Sequence, residues 1–276
     1  MANERVLLAG DACHIHSSAG AQGMNTGVHD AVNLAWKLGG VIKGWYTPKA
    51  LQTYEDERRT AAQYLIKLDK TVSAAVSGTV PEEYKGLSLD ANELWTKITS
   101  DSVLFNIGLG VNYQENPFNK YPLTGMISAG HRGPDSLLMP PGSRLPARLY
   151  QFTKNTGQWS ILVFAGQPAV TKKDLTLAVA GLLELQSTLP KGIVRFLTLI
   201  AGSFGGGNNL FKTPRIGKFY FDPEYAAHGR YAISTTQGAI VVLRPDGILG
   251  YASTLDDTVS IGAFFAGFVE VRPSMF

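Results

Sequence analysis

One stretch of the sequence gathers residues able to do chemistry: GDACHIHSSAGAQGMNTGVHDAVNLAWKL, from Gly10 to Leu38. Gly10-Asp11 ends a short apolar run (residues 5–9, RVLLA) and opens a Gly-rich loop that leads to a helix beginning near Thr26. A strand, a Gly-rich loop and a helix in that order form a ligand site of α/β sheets, at the carboxyl end of the strand. A carboxylate in that place, Asp11, accepts hydrogen bonds from sugar hydroxyls and repels a phosphate. The helix start, from Gln22 through Gly23, Met24 and Asn25, offers unpaired N–H groups and the positive end of the helix dipole. The stretch therefore suits a polyol joined to an electron-rich ring edge. It does not suit a triphosphate, because the Lys-Ser/Thr pair of a P-loop is missing.

Other residues of the stretch have sharper and blander readings. Asp11, His14, His16, His29 and Asp30 are metal-ligand types, but they read as polar groups around the ligand, and no metal is expected. Cys13 beside His14 lacks an identifiable third group to orient a nucleophile and reads as a small buried residue. It is the single cysteine. That excludes a disulfide within the chain and a Cys-based zinc site, and it fits a reducing, cytoplasmic setting. Arg58-Arg59 reads as helix surface or as an ion-paired unit, and Trp36 and Trp45 read as core. The net charge of +3 is spread along the chain, which argues against a nucleic-acid partner. The start MANERVLLAGD does not read as a signal peptide. The longest apolar runs, such as IGAFFAGFV, are too short to span a membrane.

The elements that must position these residues follow from periodicity. With 45% hydrophobic and 17% charged residues, against roughly 25% charged on average, the chain has the makings of one or two packed domains. Val28, Val32, Ala35, Leu38 and Ile42 recur at helical spacing and predict the apolar face of the first helix. Thr47-Pro48 predicts the start of a second helix over 48–76, with YEDERR on its wet face. A third helix is predicted over 91–106. The segment YPLTGMISAGHRGPDSLLMPPGSRLP reads as a linker, which divides the chain into parts 1–125 and 126–276. Beyond it, strands are predicted at 159–165 and 194–201, with a hairpin over 239–252 around Pro245-Asp246-Gly247. Helices are predicted at 173–189, 222–229 and 259–269. The order β-α-β-α-β-β-α is that of a thioredoxin-like α/β domain.

Gly10-Asp11-Ala12-Cys13-His14, Gln22-Gly23-Met24-Asn25-Thr26-Gly27 and Asp30-Ala31-Val32-Asn33-Leu34-Ala35-Trp36-Lys37-Leu38 resemble the second FAD motif of flavin-dependent aromatic hydroxylases, the phenol 2-monooxygenase-like enzymes. The resemblance continues through LQTYEDERR and GHRGPD (residues 130–135) to the end of the chain. It implies that Asp11 hydrogen-bonds the ribityl chain of FAD. It also implies that Gln22 and the backbone of Gly23, Met24 and Asn25 face the pyrimidine edge of the flavin, where helix-start donors stabilise negative charge. It further implies NADPH as co-substrate, O2, a phenolic substrate, and a thioredoxin-like C-terminal domain for subunit packing, as a homo-oligomer or with a related flavoprotein. Two positions depart from the family pattern Pro-x-Ala-Gly-Gln. Ser18 replaces Pro, which loosens the loop, and Ala21 replaces Gly, which restricts φ.

The family's G-x-G-x-x-G pyrophosphate motif has no good counterpart. GSFGGGNN (residues 202–209) is the one comparable cluster, and it reads as a loop. The expectation is therefore a C-terminal remnant of an FAD-binding hydroxylase domain followed by the thioredoxin-like domain. On that expectation the run at residues 5–9 is a strand without neighbours, and the first part is partly unfolded, repacked or completed by another chain. FAD binding by the chain alone is then weak or absent, and no catalytic residue is assigned. Two alternatives accompany this expectation: a non-catalytic interaction or dimerisation protein, and a truncated gene product with a vestigial flavin motif.

Overall fold

A computed structural model describes residues 6–17, 22–120, 127–203 and 213–270. They form two compact units, one within Met1–Ala35 and Leu51–Asn112, the other within Trp36–Ala50 and Tyr113–Phe276.

The first unit is built on helices α1 (Gly23–Ile42), α2 (Gln52–Val76) and α3 (Ala91–Asn106). Helix α1 is divided between the units after Ala35. Helix α3 starts where the sequence predicts, because Asp90 caps it. The Asp90 carboxylate accepts from the N–H groups of Asn92 and Glu93, and the Glu93 side chain accepts from the Asp90 N–H, the reciprocal pattern of a capping box. Leu94 and Ile98 of α3 pack with Val72 of α2 in a small apolar cluster. The short turn Pro48–Leu51 precedes α2, so Pro48 initiates a 3-10 turn and not the long helix itself.

Three expectations for this unit are corrected. Residues 6–9 pair with no described strand and have no regular structure. They are held instead by the Tyr54 hydroxyl, which donates to the Leu8 carbonyl at 2.7 Å. The predicted apolar face of α1 is largely not its buried face. Val28 is 54% and Val32 39% exposed, whereas Thr26, Asp30, Asn33 and Lys37 are buried. Hydrogen bonding reverses the expected pattern, because Asp30 and Asn33 find partners on α2 and a satisfied polar group can be buried. For the same reason YEDERR is not a wet face: Tyr54, Glu57 and Arg58 are buried.

The second unit holds a five-stranded sheet ordered β5 (Lys218–Asp222), β4 (Val194–Ala201), β3 (Trp159–Gly166), β6 (Ala239–Leu243), β7 (Leu249–Ser253). Its central strand β3 (Trp159–Gly166) runs parallel to β4 (Val194–Ala201) and antiparallel to β6 (Ala239–Leu243). The hairpin partner β7 (Leu249–Ser253) lies beyond β6. Strand β5 (Lys218–Asp222), which the sequence pattern did not signal, adds in parallel to β4. It takes over the start of the predicted helix at 222–229, so α6 begins only at Ala226 (Ala226–Arg230). Helices α5 (Pro168–Thr188) and α7 (Thr258–Ala266) complete the unit. A two-residue ladder of β1 (Leu137–Leu138) with β2 (Ala147–Arg148) and a single turn α4 (Leu149–Phe152) precede the sheet. Every residue of β3 is buried, as in a strand covered on both faces.

The aromatic cluster around Trp159 brings in the segment that follows α1. Trp159 Nε1 donates to the Tyr46 hydroxyl at 2.8 Å. Trp36 Nε1 donates to Asp246 Oδ2 at 3.1 Å, and Asp246 also accepts from Arg244 at 2.7 Å. Trp36 is thus core, as expected, and Trp45 packs partly buried against the same cluster. The altered loop positions at residues 18–21 and most of GSFGGGNN lie outside the described residues.

Candidate functional site

The loop leading into α1 is the candidate site, and its geometry comes from what ties it down. Gly10 turns the chain at φ +60°, a conformation that costs glycine little. Its Cα lies against Gly27 of α1 so closely that a Cβ on Gly27 would sit 3.5 Å away. The Gly10 N–H donates to Asp30 Oδ2 at 2.9 Å. His14 Nε2 lies 2.9 Å from the same oxygen. Arg58 Nε donates to Asp30 Oδ1 at 2.6 Å. At the far end of the loop the Ser17 N–H and hydroxyl both donate to Asp69 of α2, at 2.8 and 2.6 Å. Residues 8–17 are therefore fixed at Leu8, Gly10, His14 and Ser17.

The electrostatics follow from burial. Asp30 is 1% exposed and Arg58 5%. Burial pushes the Asp30 carboxyl up, but the hydrogen bonds from Arg58, Gly10 and His14 outweigh it and hold the group below its ordinary range, so Asp30 is a carboxylate. Its charge in turn helps burial push the Tyr54 phenol up. Tyr54 thus keeps the proton it donates to Leu8. Burial, then Asp30, push the Cys13 thiol up as well. Cys13 is exposed, contrary to the expectation of a buried residue.

The residues expected to hold a cofactor divide into two groups. Asp11 is exposed on the 3-10 turn Gly10–Ala12, and its carboxylate has no partner among the described residues. Gly23, Met24 and Asn25 form the first turn of α1, whose N–H groups have no intrahelical acceptors. A Cβ on Gly23 would lie 2.1 Å from a ring carbon of His16, so glycine leaves room for that ring. Gln22 and Asn25 are joined by a 3.3 Å hydrogen bond. Both line a cavity of about 300 Å³ with Thr26, His29, Arg58 and Phe105, at the small end of the range for ligand pockets. Asp11, Gly23 and Met24 do not line it.

Cys13, His14 and Asp30 bring three potential metal-ligand atoms within 4.8 Å. Both Asp30 oxygens are already bonded, and Arg58 supplies the positive charge, so the cluster is a hydrogen-bonded network in the form found. Sequence reasoning missed Asp30 and Arg58 as the hub of the loop. The pair Arg58-Arg59 is also split. Arg58 is buried on Asp30, while Arg59 is exposed and pairs with Glu55 one turn earlier. Among the described residues no helix is long and apolar enough to cross a membrane.

Comparison with known proteins agrees with this geometry. Residues 1–69 match the family model of an FAD binding domain, and residues 211–272 match the model of the phenol hydroxylase C-terminal dimerisation domain. The chain is 29% identical to the FAD-dependent monooxygenase hkm7 of Aspergillus hancockii, over 98% of this chain and 52% of that protein. It is 28% identical to the 3-hydroxybenzoate 4-monooxygenase of Comamonas testosteroni, over 96% of this chain and 46% of that protein. Among solved structures, the OxyS anhydrotetracycline hydroxylase from Streptomyces rimosus matches with a TM-score of 0.59 at 26% identity, over 94% of this chain and 44% of that one. The chain spans about half the length of the curated relatives it matches.

These matches correct the expectation of a C-terminal remnant of the FAD-binding domain. An FAD-binding segment and a C-terminal dimerisation segment are both matched. The fold that the comparisons support is an FAD-binding monooxygenase domain followed by a C-terminal β-sheet subdomain. The accompanying expectation, of a portion lacking the segments that carry the chemistry, is corrected with it. The chain is similar to flavoprotein oxidoreductases, namely FAD-dependent monooxygenases and aromatic hydroxylases.

Proposed function

We propose that this protein acts as an FAD-dependent monooxygenase that hydroxylates a phenolic aromatic ring, with NADPH as reductant and O2 as co-substrate. The observation that carries the reading is Asp11. It is an exposed carboxylate with no partner among the described residues, on a loop otherwise fixed at four points and packed against the start of α1. That arrangement fits the ribityl part of FAD, whose hydroxyls donate to a carboxylate. The first-turn N–H groups of Gly23, Met24 and Asn25 fit an electron-rich pyrimidine edge, with the Gln22 and Asn25 side chains beside them. When bound, FAD would supply the oxygen-activating chemistry. The residues of this chain bind and orient it, and the start of α1 favours negative charge at the ring edge. The matched dimerisation segment supports a homo-oligomer or an assembly with a related flavoprotein. The exposed Cys13 thiol is in keeping with a reducing cytoplasm.

The test is a titration of the purified chain with FAD, following quenching of flavin fluorescence, with Asp11→Asn in parallel. Saturable binding that weakens about tenfold in the variant, the cost of one charge-assisted hydrogen bond, is expected. NADPH oxidation stimulated by simple phenols would then be measured on the loaded protein. Absence of saturable flavin binding would overturn the proposal.

A further inference from the structure

Asp11 can meet a ligand only if the turn that carries it is held, and that turn makes few bonds of its own. Residues 10–12 form one 3-10 turn with no buried residue. The restraint comes from Asp30, twenty positions along the chain. Its Oδ2 takes the Gly10 N–H and faces His14 Nε2, both at 2.9 Å, and its Oδ1 takes Arg58 Nε at 2.6 Å. The two residues held through Oδ2 bracket Asp11. The carboxylate thus joins the loop, α1 and α2 in one network, and Arg58 in that network also lines the cavity beside the start of α1.

We infer that Asp30 is a positioning residue for the flavin's polyol: through Gly10 and His14 it fixes the direction of Asp11, and Arg58 fixes Asp30. The inference rests on the reading that Asp11 receives the ribityl chain. Asp30 touches no ligand atom in this scheme. His14 Nδ1 is buried and has no partner among the described residues, so the imidazole's one bond in this network is to Asp30, and it carries the restraint of Asp30 to the end of the turn.

The experiment uses the 276-residue chain and two flavins that share a ring system. Riboflavin carries the polyol, and lumiflavin replaces it with a methyl group. In Asp30→Asn one end of the side chain becomes a donor facing donors, so the network breaks with little change of shape. Riboflavin affinity should fall about tenfold, and lumiflavin affinity should stay the same. In an Asp11→Ala background, Asp30→Asn should cost riboflavin nothing further. His14→Gln, which leaves Arg58 on Asp30, should show the same selectivity at smaller size. It provides the test where Asp30→Asn does not fold. Amide hydrogen exchange at residues 10–14 should rise in both variants while exchange in α3 does not change. Equal losses for the two flavins would mean a merely structural role and overturn the inference, as would full additivity with Asp11→Ala or unchanged exchange at residues 10–14. If the unsubstituted chain bound neither flavin, the cofactor reading itself would fall, and the role given to Asp30 with it.

Discussion

Replacing Arg58 by methionine tests the network at its buried Arg–Asp ion pair. Methionine keeps most of the side-chain volume and removes the guanidinium. The pair is 5% and 1% exposed, so water cannot replace the lost partner. With charge centres roughly 4 Å apart and an effective dielectric of about 20, the lost attraction is about 4 kcal/mol. The Gly10 N–H and His14 remain on the other oxygen and recover part of it, which leaves a cost of about 3 kcal/mol, the low end for breaking a buried pair. This corresponds to a roughly hundredfold loss of hydrogen-exchange protection in peptides of α1 and α2. The pH dependence supplies a second mark. The Asp30 carboxyl lies below its ordinary value of 3.8 in the folded chain: burial raises it, but the bonds from Arg58, Gly10 and His14 outweigh that. A depressed folded pKa contributes stability that is fully present above 3.8 and is lost as pH falls through the folded value. Without Arg58 the folded value rises, and the variant has less to lose in acid. The gap in protection between parent and variant should therefore narrow on acidification. A loss under about tenfold, or a gap that keeps its size at low pH, would refute the argument that this pair holds α2 to the loop.

Three further outcomes follow from single contacts. Gly23→Ala places a Cβ 2.1 Å from the His16 ring and should weaken FAD binding in a fluorescence titration. Adding His16→Ala should restore it, because the obstruction goes with the ring. Trp36→Phe keeps the packing but removes the donor to Asp246; with Arg244 still on Asp246, the loss should be about 1 kcal/mol in chemical unfolding of the sheet unit. Thr198→Val should cost about 2 kcal/mol in the same assay, because the buried Thr198 hydroxyl both donates to the Ile216 carbonyl and accepts from the Ile216 N–H.

Much of the sheet unit was legible because its elements announce themselves locally. Residues 159–165 and 194–201 are apolar runs of strand length, and Pro245-Asp246-Gly247 marks a turn by the conformations those residues favour. Strand β5 was not legible. KFYFD is short and ends in a charge, and it becomes a strand by pairing with β4 from Leu197 to Ala201, a long-range fact absent from its own residues. Helix α1 was found, but its buried side was assigned to the wrong residues. Periodicity ranks Val28 and Val32 above Asp30 and Asn33 for burial. The ranking holds only where the polar residues lack partners, and here Asn33 meets Glu57 at 2.7 Å and Asp30 meets Arg58.

The same physics explains what was legible in the site. The residues proposed to meet a ligand were picked out by type and spacing, because a ligand's chemistry favours particular groups. Asp11 suits hydroxyls, and a Gly-rich loop before a helix leaves N–H groups open. Residues that hold those groups answer to the rest of the fold. Asp30, Tyr54 and Asp69 reach the loop from 16 to 52 residues away in the chain, Arg58 reaches Asp30 from 28 residues away, and each has an ordinary surface reading in its own helix. An acid on a helix is usually solvated, as is an arginine beside another arginine. What sets Asp30 apart is that three donors, two from the loop and one from α2, converge on one carboxylate that water does not reach. A buried charge so fully bonded is costly to build from the unfolded chain, and α1 accepts that cost on the side where its valines were expected. The cost is intelligible if the turn carrying Asp11 has to stand still.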